Sequence, residues 1–286
     1  MKNIKIILRG IGQVFFQNNA LTGLVFLVGI FYNSWILGLG ALLGNITSTL
    51  FARIFKYNKG DIENGLYGFN GTLVGAAVLF FLKINLITII FLTLGSVLST
   101  VIMHLIKNKI PAFTSPFVIS AWIIIYVIIL LFPSYILTSP STTENVFNIL
   151  KSTTKGFGEV MFQDSIITGV FFMIGILVNS FKDFGYAFYG SILSTILALM
   201  FMIPMNTINM GLIGYNAILT SIALGINDKR NSYMLVTIGI VLSILIYLVF
   251  NVLGVIALTA PFVISTWIVL FLFNKNYLTK MHHLIN

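Results

Sequence analysis

The chain contains no cysteine, which excludes disulfides, thiolate metal sites and a cysteine nucleophile. Charge is almost as scarce: only 8% of residues are Asp, Glu, Lys or Arg, where a soluble domain carries about a quarter. Seven acids and three histidines in 286 residues offer no clustered array for metal binding or acid–base catalysis, and no phosphate-binding glycine motif is followed by Lys. "NKGD" at Asn58 lies in a charged loop and is not such a motif. The net charge of +9 would suggest nucleic acid in a soluble domain. Here the basic residues stand singly between apolar runs, a pattern of membrane topology and not of a nucleic-acid surface. What is abundant is grease: 58% of residues are hydrophobic, 26 of them Phe, and mean hydropathy is +1.03. Apolar runs of roughly 20 residues, the length that crosses a bilayer core as helix, recur from end to end. The opening "MKNIKIILRG" has no apolar core ahead of its Arg and Gly, so no cleaved signal is expected there.

The chain is written twice. "RGIGQVFFQNNALTG" from Arg9 and "KGFGEVMFQDSIITG" from Lys155 are identical at seven of fifteen positions. The same offset of 146 pairs Gly29 with Gly175, Asn33 with Asn179, Gly44 with Gly190 and Asn70 with Asn216. After a one-residue slip, "PFVISAW" at Pro116 matches "PFVISTW" at Pro261 in six of seven. The expected organisation is a first transmembrane repeat over 1–133, a polar link over 134–155 and a second repeat over 156–286.

Each repeat reads as a short amphipathic piece followed by five spans. The pieces, Gly12–Asn18 and Gly158–Asp164, are too short to cross and suit re-entrant half-helices, tolerated at membrane depth only inside protein or along a cavity. The spans expected are Leu21–Tyr32, Trp35–Phe55, Leu66–Leu82, Leu86–Ile106 and Ala112–Phe132, then Ile166–Val178, Phe184–Ile203, Gly211–Ile226, Ser232–Phe250 and Gly254–Phe273. Five is odd, so the halves point opposite ways. With the N-terminus cytoplasmic, thirteen basic residues fall inside and only Lys83, Lys151 and Lys155 outside, a bias that favours both termini inside. The expectation is an all-α integral membrane protein with about ten transmembrane helices plus two re-entrant half-helices, in two inverted repeats, a plan that commonly places a pathway at the repeat interface.

Polar punctuation interrupts both halves at "GLYGFNGTLVG" from Gly65 and "GLIGYNAILTS" from Gly211. Gly65, Gly68, Gly71 and Gly75 lie three or four apart, on one helix face, and close helix packing explains them. Asn70 and Asn216 occupy equivalent points where an unpaired amide is costly; they either stitch the half-helix to its neighbour or touch a permeant. Phe69 with Leu73, and Tyr215 with Leu219, are i, i+4 pairs on one stripe, readable as core or as site.

These two stretches, the paired "PAFTSPF" and "ALTAPF", and the "GQVFFQNN" start resemble the urea transporter family over nearly the whole chain. The resemblance implies a passive, channel-like urea pathway through each subunit of a homotrimer, with a narrow filter between aromatic and aliphatic residues beside a ladder of oxygens. Carried onto matching positions, it implies a filter of Gln13, Val14 and Phe16 from the first half-helix and Glu159, Val160 and Phe162 from the second. Phe69 and Leu73 join from the first repeat and Tyr215 and Leu219 from the second, with central hydroxyls from Thr114 and Thr259. The departure from the family pattern is Tyr215, which adds a hydroxyl to one wall.

The residue types suit the chemistry. Urea is flat, neutral and rich in N–H donors, and stripping its water without replacement costs roughly 2–7 kcal/mol per polar group. Gln, Glu and Thr oxygens and half-helix carbonyls can accept those donors, while release requires that binding stay weak. Glu159 is an intramembrane acid opposite a neutral twin, Gln13; the alternative to a pore role is a structural bond to backbone. Thr114 and Thr259 could also bond back to their own helices. Asp164, aligned with Asn18, reads as a local cap, Pro116 and Pro261 as the starts of the fifth spans. His104 reads as interfacial, and His282 and His283 as solvated. An ion-coupled transporter needs a carboxylate or His relay that the spans scarcely offer, and an integral membrane enzyme lacks its catalytic array. Passage of other small neutral solutes (short amides, ammonia, water) is the serious competitor. No cofactor, metal or nucleic-acid partner is expected; the partners are urea and the bilayer of the cell membrane.

Overall fold

A computed structural model describes residues 2–137, 146–226 and 232–273. Lys229, Arg230, Lys275, Lys280, His282 and His283 lie outside the described residues. The described residues fall into two compact units, one within the first 137 residues and one from 146 onward. Among the described residues every regular element is helical, and the only β pairing is an isolated bridge between Leu82 and Ile136.

The first unit contains α1 (Lys2–Gly12), α2 (Ala20–Asn33), α3 (Trp35–Ile54), α4 (Lys59–Glu63), α5 (Gly68–Phe81), α6 (Leu86–Ile106) and α7 (Ser115–Leu131). The second contains α8 (Ile149–Glu159), α9 (Ile166–Asn179), α10 (Phe181–Met200), α11 (Met205–Asn209), α12 (Gly214–Gly225), α13 (Ser232–Val252) and α14 (Ala260–Phe273). Polar side chains start seven of these helices by accepting the first orphan amides. Asn19 accepts from Leu21 N at 2.8 Å, Ser34 from Leu37 N at 3.2 Å and Asn85 from Thr88 N at 2.9 Å. Ser165 and Ser180 serve α9 and α10 in the same way.

All ten segments expected as spans are helical, but their ends differ. Among the described residues four helices, α3, α6, α10 and α13, are long and apolar enough to cross a membrane. The rest are shorter, and α1 with the 3₁₀ turn after it is bent by 78° against α2. The fifth helices begin at Ser115 and Ala260, later than the hydropathy implied, because Pro116 and Pro261 hold the second helical position, where a missing N–H does no harm. The two short pieces are also displaced. Gly12–Asn18 and Gly158–Asp164 are not helices of their own: they are the turns that end α1 and α8. Both helices lie N-terminal to the expected pieces, and α8 occupies part of the segment 134–155 read as a link. The sequence "KNIKIILRGIG" looks like a charged tail by hydropathy, yet it is an amphipathic helix that buries Ile6, Gly10, Ile11 and Gly12.

In the first unit α3 packs most closely on α5, with α6 against both. The glycine face explains the approach: a Cβ on Gly40 would sit 2.6 Å from the Gly75 carbonyl oxygen, and one on Gly44 would overlap that of Gly71. Gly65, at φ +76°, lies against the backbone of Gly10, and Gly211, at φ +75°, against that of Gly156. Close packing is therefore what these glycines do. Asn45 ties α3 to α1 through Ile7 O (3.1 Å) and to α5 through Thr72 Oγ1 (2.8 Å). In the second unit Ser191 holds Thr153 O at 3.2 Å, the position equivalent to Ile7.

Candidate functional site

Each unit carries one set of the expected site residues. In the first, α1 ends in a 3₁₀ turn, Gln13–Phe15, and Phe16 takes a left-handed backbone at φ 62°. Phe16 N donates to Gln13 O at 2.9 Å and Gln17 N to Gly12 O at 3.1 Å, closing the turn. The Gln17 side chain donates to Phe15 O at 2.8 Å, so the turn is bonded from inside. In the second unit the pattern recurs after α8. Phe162, at φ 61°, donates its N–H to Glu159 O at 3.1 Å, Gln163 N bonds Gly158 O at 3.1 Å, and the Gln163 side chain bonds Met161 O at 2.8 Å. A bulky residue in the left-handed region costs roughly 1–2 kcal/mol, and here two phenylalanines are held there by the same bonds.

Gln13 donates from Nε2 to Asn64 O at 3.1 Å, which orients its carbonyl oxygen away from that bond and leaves it an acceptor. Glu159, its counterpart, is buried. Val14, Leu73, Leu219, Val160, Phe69, Thr114 and Thr259 are all buried, whereas Phe16, Phe162 and Tyr215 are half-buried. The Phe16 ring meets Phe113 edge-on, with centroids 6.0 Å apart and planes at 84°. Phe113 and its counterpart Leu258 are left-handed too, at φ 45° and 46°. The sequence reading missed both, because nothing in "PAFTSPF" or "ALTAPF" marks a non-glycine for that conformation.

Both asparagines stitch helices together through their oxygens, though not to the turns after α1 and α8, and Asn70 Nδ2 is buried with no hydrogen-bond partner among the described residues. Asn70 Oδ1 accepts from Phe117 N and Asn216 Oδ1 from Phe262 N, each at 3.0 Å. They join α5 to α7 and α12 to α14 at the amide that follows the proline. The extra hydroxyl of Tyr215 is directed at backbone: it donates to Leu258 O at 2.7 Å. Asp164 is not a cap. That task falls to Ser165, one residue later, and Asp164 pairs with Lys155 at 2.5 Å. His104 ends α6 stacked on Tyr57 at 3.8 Å, its Nδ1 3.5 Å from Tyr67 Oη.

The polar ends of the two units differ in kind. In the first, Lys2 pairs with Glu63 at 2.8 Å and Lys107 with Asp61. The Lys2 hydrogen bond and charge hold the Glu63 carboxyl below its usual range. At the positions equivalent to Lys2 and Glu63 the second unit has Asn148 and Asn209, joined by a neutral bond from Asn148 N to Asn209 Oδ1 at 2.9 Å.

Long apolar helices, large side chains exposed on their outer faces (Trp35 at 64%, Leu86 at 76%, Phe181 at 80%) and a sharply bent entry define a helical membrane protein. The urea transporter family profile matches residues 4–274, and the chain belongs to that family. It is 30% identical over 240 residues to Urea transporter 1 of Mus musculus and 29% to that of Rattus norvegicus, the alignment covering 77% of this chain in each case. Urea transporter 1 of Ovis aries is 29% identical over 242 residues. The chain spans 62% of the length of these relatives.

Proposed function

We propose that this protein conducts urea passively down its gradient across the cell membrane, through a narrow pore between two inverted repeats. The observation that carries the reading is the repeated turn: α1 and α8 each stop at an oxygen-bearing residue, Gln13 or Glu159, followed three residues on by a strained, half-buried phenylalanine. A helix C-terminus is electronegative, so two such ends favour a permeant that presents N–H donors and disfavour anions. Gln13 and Glu159 accept from urea at the two mouths. Phe16, Val14, Phe69 and Leu73 form one greasy wall, and Phe162, Val160, Tyr215 and Leu219 the other. Thr114 and Thr259 supply hydroxyls between the mouths. The slot passes a flat neutral molecule edge-on and offers no fixed shell to a hydrated ion.

The pore comes with a topology of ten spans, both termini cytoplasmic, with α1 and α8 re-entrant from opposite faces. The first repeat ends near residue 133, and the second takes in α8. Assembly as a homotrimer is proposed on the family resemblance.

Urea entry into proteoliposomes, followed by light scattering with and without proton or sodium gradients, tests the function. Rapid entry that ignores both gradients and is lost when Thr114 and Thr259 are both changed to Val supports it. Entry that needs a gradient would overturn the passive mechanism, and entry of water or short amides without urea would overturn the cargo.

A further inference from the structure

A groove of about 370 Å³ runs between α1, α2 and α3 of the first unit. Its walls are apolar, with Ile4, Leu8, Leu27, Ile46 and Leu50 prominent, and one end is polar, formed by Asn3 and Arg53. We propose that it binds an anionic phospholipid, one acyl chain along the groove and the headgroup phosphate on Arg53.

Charge complementarity argues for this occupant. Arg53 stands in the last turn of α3 and donates from Nη2 to Asn3 Oδ1 at 3.1 Å. A guanidinium carries further N–H donors in a planar fork suited to phosphate oxygens. Among the described residues of this unit the acids are Asp61 and Glu63, and each already pairs with a lysine, Lys107 and Lys2 respectively. Arg53 thus has no acidic partner among them. Lys5 on α1 and Lys56 just after α3 are exposed and add positive charge close in sequence to the lining residues. A free phosphate would use the charged end and leave the apolar groove without purpose, whereas a phospholipid uses both.

The second unit provides an internal control, because it builds the equivalent helices without the Arg53–Asn3 end, although Lys151 keeps the place of Lys5. At the offset of 146, Arg53 becomes Leu199, Asn3 becomes Ile149 and Lys56 becomes Met202, although Lys56 and Met202 share φ 54°. Leu42 of the groove becomes the bulkier Phe188. The basic end is therefore not required by the fold. The inference rests on placement in a membrane and not on the identity of the permeant, so failure of urea flux leaves it standing.

The test uses the purified full chain in a neutral detergent, with thermal unfolding and native mass spectrometry as readouts. Phosphatidylglycerol, phosphatidylcholine and inorganic phosphate are the probes. Phosphatidylglycerol is expected to raise Tm and persist as an adduct, with phosphatidylcholine and phosphate doing neither. Arg53→Gln with Lys56→Gln should weaken phosphatidylglycerol roughly tenfold, the scale of a lost charge-assisted contact. Leu50→Trp, which fills the groove and keeps the charge, should weaken it as well. Equal shifts with both lipids, a full effect of phosphate alone, or retention in both variants would overturn the site. A change of oligomeric mass on Leu50→Trp, with lipid binding intact, would assign the face to a second copy of the chain instead.

Discussion

Phe16 and Phe162 are the residues at which structure and proposed function meet. Glycine would adopt φ near +60° without penalty, so the phenylalanines are retained against a backbone cost. Phe16→Gly relieves that strain while removing the ring that meets Phe113, and the expected outcome separates two roles. Thermal stability in detergent should change by about 1 kcal/mol or less, whereas discrimination between urea and larger amides in a flux assay should collapse. Unfolding of the variant would mean that the ring is a packing element. Asn216 makes the opposite case. Its Oδ1 serves the buried amide of Phe262, so Asn216→Ala leaves a donor without an acceptor at a cost of about 1–3 kcal/mol. The loss should appear as a lower unfolding midpoint. A midpoint equal to the wild type would show that water replaces the side chain there.

At the scale of elements, α3 and α5 form the most extensive helix pair among the described residues, and glycines line it. Gly44→Ala would drive a Cβ into the Gly71 carbonyl, backbone that cannot swing aside, and should destabilise the first unit by about 1–3 kcal/mol or more. Gly185, inside α10 with nothing within 4 Å of an added Cβ, is the matched control. Gly185→Ala should stabilise by about 0.5–1 kcal/mol through helix propensity. Paired unfolding curves check both signs. These glycines were legible in the sequence because spacing of three and four has one meaning on a helix. Helices rich in leucine, such as Leu86–Ile106, were legible to the residue. What was not legible was a helix whose apolar content is diluted by function at its surface. Lys2–Gly12 places its lysines outward and buries Ile6 and Ile11, and a hydropathy window averages the two. The turns after α1 and α8 were mistaken for helices because their apolar residues mark a buried corner as well as they would mark a helix. The candidate site residues come from the duplicated motifs and the family resemblance they carry, but the partners of Phe16, Asn70 and Tyr215 depend on contacts more than forty positions away in sequence, which no local pattern carries.

For the whole molecule the decisive question is orientation, and the two units answer it differently in their chemistry. The first fastens the start of α1 to α4 with an ion pair, Lys2–Glu63, and adds Lys107–Asp61 beside it. The second fastens the start of α8 with Asn148 and Asn209 and no charge at those positions. The proposed topology accounts for this difference, since positive residues are retained on the cytoplasmic side and depleted on the other. The absence of cysteine makes this directly testable, because any single introduced cysteine is the only thiol in the chain. Lys56→Cys and Lys109→Cys should react with an impermeant maleimide only after the inner face is opened, and Lys83→Cys and Lys151→Cys in intact cells. Position 151 decides the matter, since it stands on α8 where Lys5 stands on α1. Labelling there from outside, with Lys5→Cys protected, requires that equivalent helices enter from opposite faces. Labelling of both from one side would make the repeats parallel and would remove the two-mouthed pore on which passive conduction depends.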